Sequence, residues 1–437
     1  MTTPEVGLRH ICLLGGGIMS ITTAYYLLTD PALPSGTRVT LVENSRRGIA
    51  AGASSYAAGF LAGGEDAWQA PPSQDLARLS WKCHVQLAKK LGGADAWGFR
   101  ECTSVGLRVG GGSESRSAYR LLPGGKKEVL EDDWLVGERE DLTGRGGMGQ
   151  VEPALFCQAL FAHCTTLGLE TVYGEPTSLS PFNSKNPTRT LEITPHSSEE
   201  SPIVLTADSF LVAAGPWSAA LCAKLSLPPI PLTNLPGHSI ILRPRISQTS
   251  HLPAEAIFAG ISGAAVGVHA STSGAARSLT LEELGDGYTR SPEAFTRPNG
   301  LVYVAGENSI PRTEGVDVGL PNRLPLSADG VAALLDQGLI ARLVNASAAI
   351  SPALNVANGA VVEKAQFCYR PITPDGEPML GELQSGVFIA CGHGPWGITL
   401  APGTGKVMSE LLLAKPNLSA DISALSPIRF TKIKAGL

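Results

Sequence analysis

The stretch HICLLGGGIMS, His10 to Ser20, decides the fold. Its first five residues have the length and apolar character of a short buried strand. Three glycines follow, and from Ile18 to Leu28 the apolar residues recur at helical spacing. A turn-forming segment then leads to a second strand, RVTLVE, Arg38 to Glu43. Strand, glycine turn, helix and strand together make the opening unit of a nucleotide-binding α/β sheet. Gly15 permits the tight turn, and Gly17 lets the backbone approach a pyrophosphate at the helix N-terminus, where free N–H groups and the helix dipole favour anions. Ser20 replaces the third glycine of G-x-G-x-x-G and is small enough to keep helix and strand close. Glu43, at the end of the second strand, is placed to accept hydrogen bonds from a ribose, and its charge disfavours a 2′-phosphate.

Composition narrows the class. There are 50 glycines among 437 residues, against roughly 7 % in an average protein. Hydrophobic residues make up 43 % and charged residues 17 %, so the chain has the apolar content of a folded protein of two or more domains. The net charge of −5, with no basic block, excludes the electrostatic footprint of a nucleic-acid binder. Residues 11–28 are too short and too interrupted by glycine, serine and threonine for a membrane span, and the first ten residues lack a leader pattern. Eight scattered cysteines contain no C-x-x-C pair, which points away from a metal site and towards a reducing, cytoplasmic setting. Gly403-Thr404-Gly405-Lys406 resembles the end of a phosphate loop, but Leu400 and Val407 break that pattern.

Periodicity predicts further helices over 74–91, 153–167, 331–344 and 405–413. Strands are expected over 105–109, 169–173, 190–194, 203–206, 210–213, 239–242, 301–305 and 387–391. Nucleotide-type elements therefore occur at both ends of the chain. One domain is expected from 1–91, 150–225 and 355–437, and a second from 92–149 and 226–354.

Five more segments carry a resemblance: GASSYAAG (52–59), LVAAGPWS (211–218), CYRPITPDG (368–376), GHGPWG (392–397) and APGTG (401–405). With the opening unit, and with SPEAFTRPNGLVYVAGE (291–307), they resemble the FAD-dependent D-amino-acid oxidase superfamily, in the branch of glycine and sarcosine oxidases and its fungal FAD-dependent oxidoreductases. The resemblance implies an α/β fold with an α+β second domain. In it, a Rossmann-like FAD-binding domain is joined to a discontinuous substrate domain built on an antiparallel sheet. It implies a flavoprotein that oxidises the C–N bond of an amino acid or secondary amine, by hydride transfer from the α-carbon to flavin N5 with oxygen as acceptor. A non-oxygen acceptor, a non-catalytic trafficking or regulatory flavoprotein, and a nicotinamide enzyme resting on Gly15, Gly17 and Glu43 alone are the alternatives. Oligomeric state is not legible.

The same resemblance assigns residues. Gly15, Gly17, Ile18, Met19 and Glu43 would hold the adenosine end. Ser54, Ser55, Ala213 and Gly215 would lie near the pyrophosphate and flavin edge. Gly394, Trp396, Gly397, Thr404 and Gly405 would meet the flavin ring and ribityl chain. Arg370 would hold a substrate carboxylate, which its guanidinium fork suits; the plainer alternative is an ion pair with Asp375 or another surface acid. Cys368 falls where sarcosine oxidases carry a flavin-linked cysteine; the alternative is a small buried hydrophobe. His393 would polarise the flavin or meet oxygen, or else simply satisfy nearby backbone. No metal ligands are expected.

Overall fold

The computed structural model describes residues 9–64, 68–110, 118–121, 127–129, 134–144, 147–185, 187–245, 252–261, 267–268, 277–278, 291–308 and 324–430. The leader reading, which rests on the first ten residues, falls almost wholly outside them.

His10–Leu14 is a strand buried at all five positions, as expected for a strand at the centre of a parallel sheet. It lies between Arg38–Glu43 and Ser209–Val212, with Glu170–Tyr173 and Val387–Cys391 beyond them, all parallel. Met379–Gln384 closes one edge antiparallel. Alternate residues of the central strand feed two cores. Ile11 and Leu13 join the helices Ile18–Leu28, Gln74–Leu91, Pro153–Thr166 and Gly397–Leu412 on one face. Cys12 and Leu14 join a three-stranded sheet, Glu175–Leu179, Arg189–Thr194 and Ile203–Ala207, and the short helix Ser218–Lys224 on the other. This period-two division sets up the three layers.

The closing helix begins at Gly397, eight residues before the expected start, and runs through Pro402. Proline inside a helix leaves the carbonyl four residues back without its donor. That carbonyl, on Ile398, lies 2.9 Å from His84 Nε2. One residue on, Ser80 donates to the Thr399 carbonyl (2.6 Å) and accepts from the Gly403 N–H (3.1 Å). Helix Gln74–Leu91 thus mends the ladder that Pro402 breaks. The neighbouring glycines let the helices close: a Cβ on Gly405 would stand 2.5 Å from Thr22, and one on Gly403 would stand 2.8 Å from the Leu76 carbonyl oxygen.

Among the described residues a second sheet takes nine strands, in the order Val361–Ile372, Thr233–Arg243, Val302–Glu307, Glu293–Thr296, Glu255–Ile261, Thr103–Val109, Gly137–Asp141, Ala118–Leu121 and Lys127–Val129. It is mainly antiparallel, but two of its pairs, 103–109 with 255–261 and 118–121 with 137–141, are parallel. Strand 361–372, expected in the nucleotide domain, belongs to this sheet because it pairs along all of Thr233–Arg243. The helix expected over 331–344 is two pieces, a 3-10 segment Ala328–Leu334 and an α-helix Gln337–Ile350. Asp336 causes the break, its carboxylate accepting from the Gly338 and Leu339 N–H groups as a new N-cap. That helix covers one face of the sheet with Ile340, Leu343 and Ile350 against Ile240, Val302 and Val304. The opposite face carries Phe295 and Tyr303 towards Phe60 and Met148. No helix among the described residues is long and apolar enough to cross a membrane.

Candidate active site

The Gly15–Gly17 turn is held from three sides. Gly15 has φ +108°, and a Cβ there would lie 2.6 Å from Ala214 Cα and 2.7 Å from the Ala213 carbonyl oxygen. Its N–H donates to the Val42 carbonyl (2.8 Å), while the Gly16 carbonyl accepts from the Ala50 N–H (2.8 Å). Glu43 braces the turn. One carboxylate oxygen accepts from the Gly16 N–H at 2.6 Å and the other from the Ser45 N–H at 2.5 Å. Burial pushes the Glu43 carboxyl above its ordinary value despite these bonds. Ser54 Oγ accepts from the Ile18 N–H at 3.1 Å, capping the first turn of the helix. Ser20 is fully buried, as its packing role requires.

From this turn a cavity of about 440 Å³ runs between the two large sheets, within the range usual for ligand sites. Gly15, Gly17, Ile18, Met19, Glu43, Ser54, Ala213, Gly215, Cys368, Arg370, His393, Gly394 and Gly397 all stand on its wall. Ser55, Trp396 and Thr404 do not. Ser55 follows Ser54 on a single helical turn, Ala53–Tyr56, and the roughly 100° step between residues turns it away. The Trp396 ring packs into the apolar clusters on both sides of the cleft. Thr404 is fully buried within Gly397–Leu412, and its Oγ1 lies 3.1 Å from His393 Nε2. Gly405, like Gly403, serves helix packing and also stands off the wall.

Arg370 and Cys368 share a face of strand Val361–Ile372 and both reach the cavity. The guanidinium lies against Gly237 of the neighbouring strand, where a Cβ would come within 2.8 Å of Nη2. Nη2 donates to the Pro236 carbonyl (3.3 Å) and to Asn308 Oδ1. Nε is buried and has no partner. Asp375, the alternative partner, is taken instead by Arg429 at 2.7 Å. The Cys368 thiol is pushed up by burial, with Arg370 opposing, which favours the protonated form. His393 is held by a side chain rather than by backbone. Burial pushes it down to about 3, leaving it neutral.

Several wall residues were not foreseen. Tyr303 and Ala305 alternate inward on one strand, and Glu293 on the next strand faces the same cavity. An acid opening an otherwise apolar EAFT strand was the available signal. Residues 324–328 form another part of the wall. They are tied down by Trp217 Nε1 donating to the Pro325 carbonyl (2.7 Å), and by Asp329, which accepts from the Ser45 hydroxyl (2.6 Å) and the Arg46 N–H (2.9 Å).

A glycine-lined turn at the start of an 11-residue helix, a carboxylate at the end of the adjoining strand and a long cavity form a cradle for an extended dinucleotide. The family model for FAD-dependent oxidoreductases (DAO) matches residues 10–411, and the chain belongs to that family. It is an FAD-dependent oxidoreductase with FAD as its cofactor. A Schizosaccharomyces pombe protein named as an oxidoreductase, C1F5.03c, is 29 % identical over 96 % of this chain and 98 % of its own. A D-amino acid dehydrogenase of Bradyrhizobium diazoefficiens is 26 % identical over 68 % of this chain and 56 % of its own. Among solved structures, glycine oxidase from Geobacillus kaustophilus superposes with a TM-score of 0.65 at 19 % identity, covering 96 % of this chain and 98 % of that one. At that identity the likeness speaks for the fold.

Proposed function

We propose that the enzyme oxidises the C–N bond of an amino acid or a secondary amine bearing a carboxylate. Bound FAD supplies a two-electron acceptor. Arg370 carries the reading. A guanidinium on the cavity wall, with one buried N–H unpartnered, suits a carboxylate brought in by the substrate. Arg370 would fix that carboxylate and so aim the α-C–H bond at bound FAD, which would take up its hydride, with oxygen the proposed terminal acceptor. Positioning of this kind supplies much of such a rate enhancement. His393 stays neutral and offers a hydrogen bond rather than a charge. The relatives' names, a D-amino acid dehydrogenase and a glycine oxidase, support this substrate class.

We propose that FAD is held without a covalent link, since burial favours the protonated Cys368 thiol over the nucleophilic thiolate. All eight cysteines are free and buried, which suits a reducing compartment, and we place the enzyme in the cytoplasm. The test is a panel of D- and L-amino acids and N-methyl amino acids, mixed without oxygen with the yellow holoenzyme. At least one should bleach the flavin, and readmitted air should restore the colour with release of peroxide. Bleaching without peroxide would assign another acceptor. Flavin that stays in the supernatant after acid precipitation confirms non-covalent binding.

A further inference from the structure

Charges of both signs stand on the sheet wall of the cavity. Arg370 comes from the edge strand, and Glu293 from a strand three places further into the sheet. The intervening strands present small residues there, Gly237 and Ala305. The guanidinium lies across the first, and Glu293 pairs in register with the second. Arg370 is near enough for its charge to act on the Glu293 carboxyl, yet the two are not in ion-pair contact. Among the described residues the Glu293 carboxylate accepts no hydrogen bond, and the residue is half-buried on the cavity wall. A half-buried acid on a cavity wall without a protein donor suits a ligand that brings one.

We propose that Glu293 binds the ammonium group of a zwitterionic amino acid whose carboxylate Arg370 holds, and takes one proton from it. This rests on the carboxylate role proposed for Arg370. In the proton transfer one N–H bond breaks and one O–H bond forms. The ammonium and carboxylate become a neutral amine and a carboxylic acid, and no electrons leave the pair. The amine then stands neutral with its lone pair free, the state from which hydride loss at the α-carbon is favoured. Burial raises the Glu293 carboxyl above its ordinary value, which brings it closer to the amine it must deprotonate.

The test compares alanine (both enantiomers) with propionate, which has the same skeleton without the amine. Binding is measured by calorimetry on the dithionite-reduced holoenzyme, so that no substrate is consumed. The wild type should prefer one alanine enantiomer to propionate. Glu293→Gln should weaken that alanine tenfold or more and tighten propionate several-fold, because the acid opposes a bare carboxylate beside Arg370. Flavin content should not change. A wild type without preference for alanine, an unchanged alanine affinity in Glu293→Gln, or both ligands shifting in the same direction would overturn the assignment. Arg370→Leu separates the underlying reading. If it leaves propionate binding intact, the carboxylate role of Arg370 fails, whatever Glu293→Gln does.

Discussion

Gly15 shows how much of the site one residue controls. Its left-handed φ and the backbone of Ala213 and Ala214 exclude a side chain. Gly15→Ala is expected to cost roughly 1–3 kcal/mol in backbone strain alone, with more from the clash. Flavin content of the purified variant should fall at least tenfold, and full flavin content would contradict the cradle described for the turn. Glu43→Ala removes the acceptor that braces Gly16 and Ser45. It should weaken FAD binding tenfold or more, as measured by reconstitution of deflavinated protein. At this scale the sequence was informative wherever backbone was the functional part. Gly15 and Gly394 were legible because their turns take the left-handed φ that glycine favours. Side-chain direction was not legible, so Ser55, Trp396 and Thr404 were placed on a wall that they do not reach.

The closing helix carries the argument at the level of elements. Its start was misjudged because Pro402 and two glycines read as a loop. What keeps it helical comes from another element, through Ser80 and His84, and no local pattern announces that. His84→Ala should destabilise the protein by about 2 kcal/mol, since it orphans the Ile398 carbonyl and opens a cavity. The same variant should retain its flavin, because His84 lies off the cofactor cavity. Urea unfolding and a visible spectrum read the two effects separately. The opening strand, helix and second strand were legible to the residue because pattern, turn chemistry and burial agree there. The break at Asp336 was missed because apolar residues recur at helical spacing on both sides of it.

At the scale of the whole molecule, three buried histidines among the described residues are held in neutral form. Burial pushes His84 down to about 4, His238 to about 4 and His393 to about 3, from an ordinary value of 6.5. Between pH 6.5 and those values the unfolded chain binds protons that the folded chain refuses, so stability falls as the solution is acidified through this window. Each contributes up to about 1.4 kcal/mol per pH unit. The urea midpoint should therefore drop markedly between about pH 7 and about pH 5. Replacing His393 by Asn should flatten that slope. The two-sheet architecture was legible in outline from motifs at both chain ends. The assignment of strand 361–372 was not, because its partner, Thr233–Arg243, lies more than a hundred residues away. That strand matters most, since it carries Arg370 onto the cavity wall. Anaerobic titration of the yellow holoenzyme with the amino-acid panel therefore tests the central claim most directly, run in parallel on wild type and Arg370→Leu. The flavin should bleach with at least one carboxylate-bearing amine in the wild type and require far higher concentrations of it in the variant. A flavin that no amine or amino acid bleaches, or one that bleaches alike in both proteins, would contradict it.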